Sequence, residues 1–235
     1  DVIALNLEHM AKQTLSFSRT DSAKFFRTLN KRVNNYFKEN NIKKTGNWKL
    51  YIKAVIMFSL LLGPLVLLLT VDVPTWLQVI CMMVIGIGMA GVGMNVMHDD
   101  NHGSFSSKKW ANKLMGSSIH ILAGNDHNWI VQHNVLHHTF TNVEGFDEDI
   151  DAPVKLLRFS PHTAWRPVHN YQYLYAWFFY PLMTIMWFAT KDYKQAVRYS
   201  KKGLVSSQGK SLLSHSTSII LGKIIYASIF LALPL

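Results

Sequence analysis

Two clusters of histidines dominate the chemistry that this sequence can perform. His98 and His102 lie four residues apart, as do His133 and His137, and His138 follows directly. On a helix, side chains four residues apart project from the same face, so each pair can bind one metal ion without backbone strain. The His138 side chain is expected to point away from those of His133 and His137, where a second metal ion could use it. Because imidazole is the commonest transition-metal ligand, five imidazoles in two clusters predict a metal site.

The residues around the clusters narrow the choice of metal. Nitrogen ligands with nearby carboxylates and no thiolate are compatible with iron, zinc, copper or manganese. Asp99 and Asp100 are placed to orient ring N–H groups of metal ligands. An acidic run follows the second cluster and contains Asp147, Glu148, Asp149 and Asp151. A docking or structural role for this run and a plain solvated loop are equally compatible with the sequence.

These segments resemble the histidine boxes of a known enzyme family. HDDNHGSFS at residues 98–106, and QHNVLHHTFTN at residues 132–142 followed by GFDEDID, are similar to the first and second boxes of the membrane fatty acid desaturases. The spacing within both boxes resembles the front-end and linoleoyl-CoA-type branch. The resemblance covers most of the chain from about Phe25 onward.

The resemblance implies a cofactor, a set of ligands and partners. Members of the family are di-iron enzymes that use dioxygen and two electrons to place a double bond in an acyl chain. The five cluster histidines are therefore expected to bind two iron ions, with dioxygen as co-substrate. Asp99 is expected to orient a ligand, and Asn134 to have a supporting role. The implied partners are a long-chain acyl substrate, as acyl-CoA or acyl-lipid, and a separate electron donor, either a ferredoxin or a b-type cytochrome.

The composition indicates a membrane protein. Hydrophobic residues make up 49% of the chain and charged residues 16%, and the apolar residues collect in long uncharged runs. The net charge of +10 suits either nucleic acid or an anionic membrane surface, and the apolar runs favour the lipid bilayer and exclude nucleic acid. The one cysteine, Cys81, lies in an apolar run, which excludes a disulfide framework and a thiolate metal cage.

The expected fold is all-α, a multi-span membrane helical bundle with a cytosolic histidine-rich cap. Residues 52–70 and 76–97 are the first two predicted spans, with a kink expected at Gly63-Pro64 and box one extending the second span. Small residues in the second span favour close helix packing over room for an acyl chain. Because lysines flank the start of the first span and the 70–75 turn has none, the amino end and the boxes are predicted to be cytosolic.

The later part of the chain is harder to place in the bilayer. Residues 171–190 are apolar and aromatic, but a basic loop follows them, so a full crossing would violate the positive-inside trend. We expect this segment to lie in the interface or to be re-entrant, and a third crossing to begin at Thr217, where Lys223 interrupts it. Four lone histidines are expected to have structural rather than metal-binding roles: His120, His127, His162 and His169.

Two regions are predicted along the chain. Residues 1–49 form a basic cytosolic region whose apolar residues recur at helical spacing, which predicts an amphipathic helix suited equally to lipid and to the protein's own cytosolic face. Residues 1–9 are interpreted as upstream sequence or a fragment edge. Residues 50–235 form a desaturase domain in which the family's third box is missing after His138, with His215 standing alone. The 235-residue chain by itself is therefore expected to be inactive.

Two alternative functions remain open at this point. A membrane hydroxylase built on the same di-iron plan would insert oxygen where a desaturase removes a second hydrogen. A membrane metal transporter would also gather histidines, but it would place them within the spans along the path of the ion. Here both boxes are predicted just outside the lipid core, which favours the enzyme.

Overall fold

The structure is a computed structural model that describes residues 22–152 and 154–234. Every regular element within these ranges is helical, which confirms the predicted all-α class. The chain separates into two compact units between Thr45 and Gly46. The interpretation of residues 1–9 as upstream sequence falls outside the described residues.

The described part of the first unit contains helix α1, Ser22–Glu39. Its apolar residues share one side, as the sequence predicts for an amphipathic helix. The chain turns after α1 through Asn41, whose φ of 50° lies in the left-handed region. The Lys44 ammonium then hydrogen-bonds the Asn34 side chain, which ties this turn to the helix.

The second unit begins with two long apolar helices, α2 (Trp48–Thr70) and α3 (Thr75–Val92). The 23 residues of α2 rise about 35 Å, enough to cross a hydrocarbon core of about 30 Å. The Asn47 side chain caps α2 by accepting the Lys49 N–H. Helix α2 continues without a break through Gly63 and Pro64, where the sequence predicts a kink.

Glycines allow α2 and α3 to pack closely. A Cβ atom on Gly88 would lie 2.4 Å from the backbone nitrogen of Leu61, and one on Gly91 would lie 2.1 Å from Sδ of Met57. Gly88 has no room for a larger side chain because it faces backbone, whereas at Gly91 the flexible Met57 side chain would have to move. The packing interpretation of these small residues is therefore confirmed for Gly88 and Gly91.

Box one is carried on the end of the second long helix. After Val92 the helix passes through a π-helical turn, Gly93–Met97, into a last α-turn, His98–Asn101. Taken together, Thr75–Asn101 is one of three helices that are long and apolar enough to cross a membrane. The first box is thus an extension of the second span, as predicted.

Short helices follow box one and lead to box two. Helix α4 is Lys109–Gly116, and a 3-10 helix, Ser117–Leu122, continues from it. Helix α5, Asp126–Trp129, passes directly into the π-helix Ile130–His137, which carries the second box. The Asn125 side chain begins α5 by accepting the Asn128 N–H.

Turns and bends follow box two, and the described chain then forms two longer helical segments. The first contains α6 (Gln172–Met186), a π-helical turn (Trp187–Lys191) and α7 (Asp192–Lys201), and a 3-10 turn, Pro167–Tyr171, precedes it. The second follows a 3-10 turn, Ser206–Gln208, and contains α8 (Leu212–Ala227) with its π-helical end, Ser228–Ala232.

Three helices in the described chain qualify as membrane spans by length and composition, namely Trp48–Thr70, Thr75–Asn101 and Leu212–Ala232. The segment that contains α6 is not among them. The third of these helices begins at Leu212, five residues before the predicted Thr217, because the Ser211 side chain caps its first turn by accepting the Ser214 N–H.

Lys223 does not interrupt this third helix, contrary to expectation. It lies inside α8, and its buried ammonium donates to the carbonyl oxygens of Ala123 at 2.6 Å and Trp187 at 2.7 Å and pairs with the buried carboxylate of Asp192. A buried ammonium is tolerated when it is paired and hydrogen-bonded in this way. Lys223 therefore joins α8 to Asp192 at the start of α7 and to Ala123, which follows the 3-10 helix Ser117–Leu122.

Two apolar cores support the boxes. The first lies among α2, α3 and the segment after box one, and its buried members are Ala54, Leu61, Val92, Val96, Phe105 and Leu122. The second joins the box-two helix to α7 and its following turn through Val131, Leu136, Tyr199 and Val205.

Candidate metal centre

The five cluster histidines, which come from two separate helices, meet at one place. The ring centroid of His98 lies 4.6 Å from that of His102 and 5.1 Å from that of His133. The rings of His133 and His137 are stacked, with centroids 5.0 Å apart. The His138 ring lies 4.8 Å from His102 and 4.9 Å from His133. The structure thus brings together all five residues that the sequence singled out.

The position of His138 differs from the sequence-based expectation. An α-helix would turn the side chain of residue i+5 away from that of residue i, but box two is π-helical, and the His138 N–H donates to the carbonyl of His133. This i→i+5 bond is the mark of a π-helix, a form that is common at functional sites. The wider turn brings the His138 ring beside the His133 ring, so the two boxes form one cluster.

Two carboxylates of the acidic run, the buried Asp147 and the exposed Asp149, orient two of the rings. Nδ1 of His137 lies 3.0 Å from Asp147, whose side chain is fully buried, and Nδ1 of His133 lies 2.9 Å from Asp149. Because an ionised carboxylate only accepts hydrogen bonds, each Nδ1 carries the proton and each Nε2 presents its lone pair. Carboxylates commonly fix metal-binding histidines in this way.

Asp147 is held ionised by its own hydrogen bonds. Burial alone would raise its pKa, but the backbone N–H groups of Asn142 and Asp149 donate to it at 2.8 and 2.9 Å, and His137 donates as well. Together these donors lower the pKa of Asp147 below its ordinary value. The carboxylate therefore remains an acceptor for His137 at neutral pH.

Two of the residues that were expected to support the histidines, Asp99 and Asn134, make different kinds of contact. Asp99 lies 3.4 Å from Nδ1 of His98, a longer contact than those made by Asp147 and Asp149, and its other oxygen lies 3.6 Å from the Lys53 ammonium. The Asn134 amide donates to the carbonyl oxygen of Asn101 at 2.8 Å. Asn134 thus links the box-two helix directly to the end of the box-one helix.

The cluster offers two groups of ligand atoms. One atom from each of His98, His102 and His133 lies within 4.8 Å of the others, and the same holds for His133, His137 and Asp149. His133 belongs to both groups, but with its Nδ1 donating to Asp149 it offers one lone pair, on Nε2, and can bind one ion. Asp149 is a candidate ligand or orienting group that the sequence placed only within a general acidic run.

Two rings of the cluster, those of His102 and His133, favour the neutral form that binds metals. Desolvation, followed by the proximity of His98, His138 and His133, lowers the pKa of His102 to about 4. Desolvation also lowers the pKa of His133, despite the opposing effect of Asp149. Metal ions need the free lone pair of an unprotonated imidazole, and these two rings therefore have it at neutral pH.

Trp129 forms one wall of the cluster. Its ring centroid lies 4.5 Å from that of His133, 5.6 Å from that of His98 and 5.8 Å from that of His102. Trp129 therefore contacts histidines from both boxes. Its position at the end of α5, directly before box two, carries no recognisable signal in the sequence.

The other histidines of the described residues lie outside the cluster. His120 contacts the carbonyl oxygen of Gly124, and the His169 ring accepts the Arg166 N–H, so both stabilise local turns. The His162 side chain is exposed. His127 and His215 are both buried, and their ring centroids lie 4.5 Å apart.

A buried polar network continues from His215 to the start of box two. His215 Nε2 lies 2.9 Å from the Asn128 side-chain oxygen, and the Asn128 amide donates to the carbonyl and carboxylate oxygens of Asp192. Asp192 pairs with Lys223. Since Asn128 directly precedes Trp129, this network fixes the helix that presents the second box. Neither Asn128 nor Asp192 was identified from the sequence.

Comparison with known proteins identifies a family that matches most of the chain. The family model for fatty acid desaturase matches residues 74–235, which include all five clustered histidines. No solved structure shows significant similarity to the chain.

Several characterised relatives are similar to this chain. It is 33% identical to the sn-1 linoleoyl-lipid 6-desaturase of Arthrospira platensis, an alignment that covers 76% of this chain and 48% of the relative. It is 31% identical to the sn-1 linoleoyl-lipid 6-desaturase of a Synechocystis species, with 72% and 47% covered. It is 28% identical to the acyl-lipid (8-3)-desaturase of Physcomitrium patens, with 70% and 34% covered. The chain spans about half the length of the first two relatives.

Proposed function

We propose, because this chain belongs to the fatty acid desaturase family, that its histidine cluster holds two iron ions for the dioxygen-dependent desaturation of a long-chain acyl group. The observation that carries this proposal is the convergence of five imidazoles from two helices, with two overlapping groups of ligand atoms. The proposed ligands are His98, His102, His133, His137 and His138. The complete reaction is proposed for the whole protein, because this chain spans only about half the length of a relative that is a desaturase.

The donor set fits iron. It is rich in neutral nitrogen, has carboxylates in reach and contains no thiolate, since Cys81 is buried in the second span. Bound iron would supply the redox chemistry that reduces dioxygen to water and removes two hydrogens from an unactivated CH₂–CH₂ unit, which no side-chain acid or base can do.

The protein's own residues prepare the site. Asp147 and Asp149 fix the rings of His137 and His133 so that Nε2 of each ring is the free ligand atom. Asn134 holds the two histidine-bearing helices together, and Trp129 covers one side of the rings. These contacts position the ligands before any ion binds, which lowers the entropic cost of forming the centre.

The proposed substrate is an acyl chain esterified to a membrane lipid. The relatives named above are acyl-lipid desaturases, and the three candidate spans place this chain in the bilayer where such substrates reside. The histidine cluster is proposed to face the cytosol, because the polar boxes follow the second span and the preceding 70–75 turn lacks basic residues. A separate ferredoxin or b-type cytochrome is proposed to supply electrons.

The test is expression of the protein, with its natural flanking sequence, in yeast supplied with linoleic acid, followed by mass spectrometry of intact lipids and acyl-CoA. We expect lipid-bound acyl chains that have lost two hydrogen atoms, and no such product with His137→Ala. His162→Ala is the matched control, because its exposed ring lies outside the cluster, and it should retain activity and iron content. Gain of an oxygen atom would indicate the hydroxylase instead, and full activity of His137→Ala would refute the proposed site.

A further inference from the structure

Helix α1 presents a continuous apolar stripe to solvent. Phe25, Phe26, Leu29, Val33 and Tyr36 recur at the three- and four-residue intervals that place side chains on one helix face. Their exposed fractions lie between 43% and 69%. Exposed aromatic and aliphatic residues that are contiguous rather than scattered mark an interaction surface.

The opposite face of α1 is basic. Lys24, Arg27, Lys31 and Lys38 are spaced by three, four and seven residues and share that face, and Arg32 lies at its edge. Glu39 is the only acidic residue of the helix. An apolar stripe of aromatic residues backed by Lys and Arg is the pattern of helices that lie in the plane of a membrane surface.

The chain connects α1 to the bilayer over a short distance. Residues 40–47 separate α1 from α2, and a stretch of this length reaches at most about 30 Å. Trp48, which begins α2, has 65% of its surface exposed, as expected of a tryptophan at a membrane–water interface. Further lysines follow α1 at positions 43, 44, 49 and 53, so the basic character extends to the start of the first span.

We propose that α1 is an anionic-lipid-binding helix, which lies on the membrane surface with its aromatic stripe among the acyl chains and its Lys and Arg residues against acidic headgroups. The spacing and exposure of the stripe suit an apolar environment, and the positive charge on the opposite face suits acidic headgroups. A negatively charged bilayer offers both. The inference does not depend on the histidine cluster or on the reaction assigned to it. It distinguishes between the two roles that the sequence alone left equal for this helix.

Site-specific fluorescence in nanodiscs tests the orientation of α1. Val33→Cys places a label on the stripe, and Thr28→Cys places one on the other side of the helix; both are made in a Cys81→Ala background, since Cys81 is the one native cysteine. Both substitutions nearly conserve side-chain volume, so the two labelled proteins form a matched pair. An environment-sensitive NBD label is then exposed to aqueous iodide and to lipids that carry a spin-label quencher.

In nanodiscs that contain phosphatidylglycerol, we expect the Val33→Cys label to be quenched by spin-labelled lipid and protected from iodide, and the Thr28→Cys label to show the reverse. Each lysine near an anionic surface contributes about fivefold to the equilibrium constant for membrane binding of α1. The double variant Lys31→Gln/Lys38→Gln should therefore lower that constant about 25-fold. The fluorescence change should therefore require a larger fraction of phosphatidylglycerol. The same shift should follow from raising the salt concentration, because salt screens the attraction.

Two results would overturn the proposal. The first is that, in phosphatidylglycerol discs, iodide quenches the Val33→Cys label as strongly as the Thr28→Cys label. This result would show that the stripe stays in water. The second result is a Val33→Cys label that is protected from iodide equally in phosphatidylcholine and phosphatidylglycerol discs and is not quenched by spin-labelled lipid. This result would show that α1 packs on protein instead. Far-UV circular dichroism of the Lys→Gln variant checks that α1 remains helical.

Discussion

Lys223→Met is predicted to destabilise the second unit far more than removal of a surface charge. The Lys223 and Asp192 side chains have exposed fractions of only 7% and 1%. Loss of the ammonium leaves the Asp192 carboxylate with the Asn128 amide as its partner and deprives the carbonyl oxygens of Ala123 and Trp187 of a donor. Breaking a buried ion pair from one side costs about 3–5 kcal/mol, because the remaining charge stays buried.

A second substitution separates the charge effect from the loss of packing. Asp192→Asn in the Lys223→Met background removes the stranded charge but keeps a side-chain oxygen that can accept from Asn128. We therefore expect the double variant to be more stable than Lys223→Met alone, with a coupling energy of about 1–3 kcal/mol. Lys53→Met is the matched control: its pair with Asp99 is 3.6 Å long and about one-third exposed, and its loss should cost no more than about 1 kcal/mol.

The assay is reversible unfolding in mixed micelles of detergent and lipid, followed by tryptophan fluorescence and by the binding of Co²⁺ as a spectroscopic probe. Lys223→Met should also weaken Co²⁺ binding, because Asn128 connects Asp192 to Trp129 and box two. A loss of stability for Lys223→Met as small as that for Lys53→Met would refute the reasoning, as would a double variant less stable than Lys223→Met.

Three further predictions follow from the site and the topology. Asp147→Asn should lower iron affinity about 10–100-fold, measured by competition with a chelator, whereas the control Asp151→Asn should bind normally. Burial lowers the pKa of His127 to about 4 from 6.5, so the neutral ring's contribution to stability is full above about pH 6.5 and is lost as pH falls toward 4. At pH 5 this loss is about 2 kcal/mol for His127 alone; because His102 carries a similar shift, His127→Gln should reduce the loss of unfolding free energy between neutral pH and pH 5 by about that amount without removing it. A cysteine replacing Ser200 should react with an impermeant label only from the cytosolic side, and labelling from outside would mean that α6 crosses the bilayer.

The helical fold could be predicted, and the two histidine clusters could be singled out, because both depend on local patterns in the sequence. Apolar runs of membrane length and histidines at short fixed spacing can be read from neighbouring residues alone. The partners of those histidines could not be read in the same way. Asp147 and Asp149 belong to an acidic run in which sequence gives no reason to separate them from Glu148, yet Glu148 instead pairs with Arg198 and accepts from Tyr199 on α7.

Lys223 shows how a correct signal can be interpreted wrongly. A charge within an apolar run lowers the hydropathy of the run, and this was the basis for expecting an interruption. The same charge is better explained as a functional or structural element, because an ionisable residue in a membrane helix persists only with a partner. That partner, Asp192, lies 31 residues earlier in the chain, and nothing local to Lys223 identifies it.

The π-helical turns explain how two short boxes can supply one compact cluster. One π-turn, Gly93–Met97, immediately precedes box one, and another, Ile130–His137, contains box two. Such turns are less stable than α-helix and persist where tertiary contacts hold them, and here the Asn134–Asn101 bond and the Trp129 contacts provide those constraints. With α-helical winding His137 would keep its place beside His133, but the His138 ring would turn away from the other four rings. The helical distortion is therefore part of the site, since it places consecutive histidines around the same centre.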